Sequence, residues 1–238
     1  MNLPKMMTID PSAEILPPWA EAAVYFVKDA SEYIFAARKD GQTVSKFLRP
    51  SDVSAAFVHQ ENDTGWIDQN IVRIGNSTRG AWFIYRRGAE KVSIHFDGDR
   101  RNYIVPIPPT ILVGVGNRYY IFSTKDDGKP LHDETKIFHA PFPNTYEDGR
   151  ICWGSNHLPK DESPDAGPKA WDLFFASPFN NHLDTGHHAS KKIGLLELLK
   201  QLDGRNTFPS KMLVPHGYPL ATMKGVLKQI VHLEESEA

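Results

Sequence analysis

Cys152 is the only thiol in the 238 residues, and its surroundings suit it to reaction more than to packing. It stands in the run Ala140-Pro-Phe-Pro-Asn-Thr-Tyr-Glu-Asp-Gly-Arg-Ile-Cys-Trp-Gly-Ser155. Proline, asparagine and glycine punctuate this run, so it is neither a helix nor a central strand. A thiol on such a glycine-flanked segment is within reach of a reagent, whereas one inside an apolar run packs. Thiols react as thiolates, and an ordinary thiol, with a pKa of about 8.5, is only slightly ionised at neutral pH. Breaking a stable amide therefore requires a nearby base. Accepting an acyl group from an activated donor does not. No histidine, aspartate or asparagine adjoins Cys152 in a protease signature, and the sequence alone does not place His139, His157, His182, His187 or His188 relative to it. Asn144 does stand near, and its side-chain amide can donate to a developing oxyanion or fix the loop.

The elements that must position this loop are mostly strands. Residues 1–20 contain Pro4, Pro11, Pro17 and Pro18 and are expected to be an extended lead-in. Ala22 to Val27 and Tyr33 to Ala37 have the composition of a hairpin, with a third run, Thr43 to Leu48, after the turn Lys39-Asp-Gly-Gln42. Pro50 to His59 is expected to be a short helix capped by Ser51 or Asp52, with Val53, Ala56 and Phe57 on one face. Five further strand runs follow: Ile71 to Ile74, Ala81 to Arg86, Lys91 to Phe96, Tyr103 to Ile107 and Thr110 to Val115. Arg118 to Thr124 makes a hairpin with the last of these across Gly116-Asn117. Arg86, Arg87, Lys91, Arg100 and Arg101 fall at turns, as a solvated face or a docking surface for an acidic partner. A short strand, Thr135 to Phe138, leads into the cysteine loop. Beyond it, Leu158 to Gly167 has loop composition, Ala170 to Ala176 is a turn or two of helix, and Asn180 to His188 is turn-like. Lys192 to Leu202 is helical and stops at Asp203-Gly204, Met212 to Val214 is a strand, and Leu220 to Leu233 is a last amphipathic helix.

Composition excludes several classes. A chain with 40% hydrophobic and 24% charged residues is an ordinary globular protein, long enough to bury a core without disulfides or metals. A formal charge of -2 offers no basic field for nucleic acid. One cysteine rules out an internal disulfide and a multi-cysteine zinc site. No run approaches the roughly 18 apolar residues of a membrane span, and the first residues lack an apolar signal core. The expected compartment is cytoplasmic, where a free thiol stays reduced. Neither a cofactor nor a metal site is expected.

Phe142-Pro-Asn144 followed by Gly149-Arg-Ile-Cys152 resembles the active-site segment of ubiquitin-conjugating enzymes, which carry His-Pro-Asn, a short turn and Gly-x-Ile/Val-Cys. Pro106-Ile-Pro-Pro109 is similar to their Pro-Pro segment. The nearer resemblance is to a bacterial branch of the superfamily, prokaryotic family D, which includes the B protein of the plasmid-associated PRTRC system. Ala140 to Gly154 and the block Trp171-x-x-Phe-Phe-x-Ser-x-Phe179 reproduce its pattern. The resemblance implies an α+β fold, an antiparallel β-meander with flanking helices. It divides the chain into an N-terminal β-rich extension with a short helix (1–65), a ubiquitin-conjugating-like core with the cysteine loop (66–190) and a C-terminal helical segment (191–238). It implies that Cys152 carries a ubiquitin-like C-terminus as a thioester and that Asn144 supports the loop or the oxyanion. It also implies an acidic or small polar residue after the cysteine that orients an incoming lysine, a place to which Asp184 is assigned. The implied partners are a ubiquitin-like protein, an adenylating, ThiF-like activating enzyme and a JAB-type metalloprotease of the same operon. Phe142, Trp153 and the distant Trp171 depart from the usual family pattern.

Three other readings stay open: an ordinary core cysteine, a non-catalytic module that presents a ubiquitin-like protein, and a cysteine hydrolase drawing its base from His182 to His188. A metal site at His187-His188 would need a third ligand that the sequence does not assign.

Overall fold

A computed structural model describes residues 16–26, 33–57, 66–99, 101–125, 128–159, 165–184, 189 and 193–232. The chain forms two compact units, Met1–Asp63 and Thr64–Ala238.

In the first unit, β1 (Ala22–Phe26), β2 (Tyr33–Lys39) and β3 (Gln42–Leu48) make an antiparallel sheet in the order β1-β2-β3. Asp40 and Gly41, at φ 52° and 77°, form the two-residue turn between paired Lys39 and Gln42. Two successive positive φ values give the primed turn that matches strand twist. The lead-in is not wholly extended, because Ala20 N–H closes a turn onto Pro17 O at 2.9 Å. Helix α1 (Pro50–Phe57) starts on Pro50, whose missing N–H costs nothing in the first turn. The cap differs from expectation. Asp52 reaches back from inside the helix and accepts from Arg49 N–H at 3.2 Å. The expected extension to His59 and the side chains of Ala56 and Phe57 lie outside the described residues.

The second unit is built on five antiparallel strands in the order β10-β9-β8-β5-β4. These are β4 (Ile71–Ser77), β5 (Gly80–Arg87), β8 (Thr110–Val115), β9 (Arg118–Ser123) and β10 (Phe138–His139). Strands β6 (Glu90–His95) and β7 (Asn102–Ile107) form a separate two-stranded ribbon. Pro108-Pro109 ends β7, since neither residue can donate to a ladder. The chain then returns so that β8 pairs with β5, Arg87 opposite Thr110. The fold is α+β and antiparallel, with one ribbon excursion in the strand succession.

Strand alternation sends side chains to two layers. Phe83, Tyr85, Leu112, Tyr119 and Ile121 face α2 (Ala166–Ala176) and α3 (Leu195–Leu202). Trp82, Ile84, Ile111, Val113 and Phe122 face Met223, Val226, Leu227 and Ile230 of the last helix. That helix, α4 (Met223–Val226), is capped by Thr222 Oγ1 and continues as a π-helical turn to Val231. It begins three residues later than expected, leaving Leu220 in the preceding turn. Met212 to Val214 is not a strand. Ser210–Met212 is a 3-10 turn, and only Pro215 forms a bridge, to Phe138. The expected basic turn face is also altered. Arg86 and Arg87 belong to β5, and Arg87 pairs with Glu90 at 2.5 Å. Among the described residues no helix is long and apolar enough to cross a membrane.

Candidate active site

The cysteine loop completes the sheet edge that β10 begins. β10 pairs with Phe122 and Ser123 of β9. Further along the same edge, Arg150 forms a bridge with Tyr120, and Ile151 N–H donates to Tyr119 O at 2.9 Å. Residues 140–149 are the excursion between these pairings. The excursion closes on itself: Tyr146 N–H donates to Arg150 O and Gly149 N–H to Tyr146 O, both at 2.9 Å. Gly149, at φ 84°, is the left-handed bulge residue of this tight hairpin. A methyl group there would lie 2.3 Å from Phe122 Cε1, so both conformation and space require glycine.

This hairpin brings Asn144 beside Cys152. Cys152 N–H donates to Asn144 O at 2.8 Å. Asn144 adopts φ 57°, a left-handed conformation that asparagine tolerates better than most residues. Its side chain is held at both ends: Nδ2 donates to Pro178 O at 2.9 Å, and Oδ1 accepts from Asn180 N–H at 3.4 Å. The asparagine thus fastens the segment after α2 to the cysteine loop. Asn180 Oδ1 in turn accepts from His182 N–H at 2.9 Å.

Between these two segments lies a cleft of about 270 Å³, lined by Cys152, Asn144, Trp153, Asn156, Asn180 and His182 among others. Among the described residues no carboxylate lines it. The half-buried Cys152 side chain follows buried Ile151, as strand alternation dictates. Two of the three family departures are explained by packing. Phe142 is 1% exposed and meets Phe174 and Phe175 edge-on, with ring centroids at 6.0 and 5.4 Å. Trp153 packs edge-on against Tyr119 and Phe174. Both therefore tie the loop to α2. Trp171 belongs to the same cluster through Tyr85 and Phe175, with Arg87 over its ring.

Asp184 is placed differently from the other two candidate residues. Its Oδ2 accepts from Leu195 N–H at 2.9 Å, at the first residue of α3, and it does not line the cleft. A carboxylate suits that place because the first helical N–H groups lack partners within the helix. Of the histidines, only His182 lines the cleft among the described residues. His139 is buried on β10 and stacks on His216 at 3.7 Å. His157 is exposed and outside the cleft lining, and His187 and His188 lie outside the described residues. No group of three or more potential metal ligands occurs among the described residues.

Tyr146 was not singled out from sequence. Cys152 beside it raises the phenol pKa above its ordinary value, first through hydrogen bonding and then through charge. The guanidinium of Arg150, 4.4 Å from the ring centroid, works in the opposite direction. The available signal was positional: Tyr146 and Cys152 flank a glycine hairpin, which folds them toward each other.

Comparison with known proteins adds one match. The model of prokaryotic E2 family D matches residues 43–216, well over half of the 238. No curated protein and no solved structure shows a significant match.

Proposed function

The chain belongs to prokaryotic E2 family D, and on that premise we propose that it is a transferase that holds a ubiquitin-like protein on Cys152 as a thioester and passes it to an amine. An E2-like family implies dealings with a ubiquitin-like protein and an activating enzyme in general. The finer proposal is that an adenylating, ThiF-like enzyme supplies the activated acyl group, as in a PRTRC-type operon.

The chemistry has two balanced steps. Cys152 thiolate attacks the activated carbonyl, a C–Sγ bond forms, and the donor's leaving group departs. An amine nitrogen then attacks the same carbonyl, a C–N bond forms, and Cys152 leaves as thiolate while the amine gives up a proton. Neither step breaks an unactivated amide, so a reachable thiol suffices for the first. The observation that carries this reading is the double anchoring of Asn144. One residue fixes the cysteine loop through its backbone and the opposite cleft wall through its side chain. Cys152 and Asn144 are thus the core of the proposed site, with Tyr146 at the thiol and Asp184 supporting the wall from α3.

The test is incubation with the cognate activating enzyme, ubiquitin-like protein and ATP, resolved on a non-reducing gel. The expected result is a reductant-sensitive adduct that Cys152→Ala abolishes. No adduct with any pairing would favour a non-catalytic binding module. A cysteine hydrolase is the second reading, favoured by His182 at the same cleft. It predicts cleavage of a conjugate by this protein alone, without ATP.

A further inference from the structure

The thioester reading leaves one proton unassigned. An attacking amine must lose a proton as its nitrogen becomes an amide, and a positioned base speeds that loss. We infer that His182 is the catalytic residue that takes it. This rests on the thioester reading above and adds a residue to it.

The cleft narrows the choice. Among the described residues, none that lines it is a carboxylate, a lysine or an arginine. Cys152 is acylated at this stage and accepts no proton until the C–Sγ bond breaks. Tyr146 does not line the cleft, and an ordinary phenol, with a pKa of about 10, keeps its proton at neutral pH. Asp184 accepts from Leu195 N–H at the start of α3. Among the described residues, His182 is the one that remains, lining the cleft together with Cys152. Its backbone is tied to the cysteine loop in two links, His182 N–H to Asn180 Oδ1 and Asn180 N–H to Asn144 Oδ1. The residue that positions the thiol therefore also positions the base. In the balanced step the amine nitrogen bonds to the carbonyl carbon, its proton passes to an imidazole nitrogen of His182, and the C–Sγ pair returns to Cys152.

The experiment needs no activating enzyme. Full-length protein is acylated on Cys152 by exchange with a peptide α-thioester ending in glycine. The isolated acyl-protein is then mixed with glycinamide, and amide formation is followed by mass spectrometry. His182→Ala is expected to acylate like wild type and to transfer roughly 100-fold more slowly. Free imidazole is expected to restore part of that rate in His182→Ala but to leave His157→Ala unaffected. His182→Gln, which fills the site without a base, is expected to behave like His182→Ala and serves if the alanine variant does not fold. Unchanged transfer in either variant, or a loss that imidazole does not repair, overturns the assignment while leaving the thioester reading intact. A wild type that takes no acyl group overturns both.

Discussion

At Cys152 the thiol acts on the titration of a phenol, that of Tyr146. Ionising Tyr146 places a phenolate charge beside the sulfur of Cys152. That is why its pKa is raised, with the hydrogen bond to Cys152 as the largest cause. The sign gives a prediction. The tyrosinate absorbance step that Tyr146→Phe removes is expected at higher pH than in a free phenol, and in Cys152→Ala it moves down toward about 10. A step that stays in place in Cys152→Ala would show that the two groups do not interact. Much of the residue scale was legible. Cys152 and Asn144 stood out because an asparagine at left-handed φ and a glycine bulge leave spacing and residue types in the chain. Tyr146 did not stand out as a partner of the thiol, and His182 was only one of several candidate histidines that the sequence does not place. Their relation to it exists only once the hairpin folds and the Asn144 side chain draws the segment after α2 against the loop.

Strands β4 to β9 were legible to within a few residues, β6 and β7 through period-2 alternation and β8 and β9, buried on both faces, as continuous apolar runs bounded by turn residues. Pairing order was less accessible. Nothing local in the β6–β7 ribbon states that β8 will skip it to join β5. Met212 to Val214 failed for a related reason: three apolar residues beside a proline suit a strand, yet Met212 and Leu213 are buried from a 3-10 turn. The cysteine hairpin depends on one element-level constraint that is directly testable. Gly149→Ala meets both a positive φ and the buried ring of Phe122, whereas Gly154→Ala meets a positive φ and open space. Urea unfolding is expected to show a cost of about 1–3 kcal/mol more for Gly149→Ala than for Gly154→Ala, the overpacking increment. Equal costs would mean that Phe122 moves aside without penalty.

Across the second unit the two faces of the five-stranded sheet have different duties. One face carries Phe83, Tyr85 and Tyr119 against Phe174 of α2, and Phe142, Ile151 and Trp153 of the cysteine loop pack in the same cluster. The opposite face is closed by the C-terminal helix through Met223, Val226, Leu227 and Ile230. Closing both faces is a requirement of folding, because an open face would leave Trp82, Ile84, Val113 and Phe122 in water. The segment next to the thiol, Ile151 to Trp153, packs on the first face, whereas the other face meets the loop at Gly149, against Phe122. Large-to-small substitutions should therefore separate stability from site order. Ile230→Ala is expected to cost about 2–5 kcal/mol and Phe174→Ala about 3–5 kcal/mol, read as urea midpoints. In the absence of denaturant, iodoacetamide should modify Cys152 at the wild-type rate in Ile230→Ala. In Phe174→Ala it should react several-fold faster, because Phe142 and Trp153 lose the ring they pack against and the loop opens locally. Equal acceleration in both variants would show that the C-terminal helix also governs the cysteine loop and that the two faces are not independent.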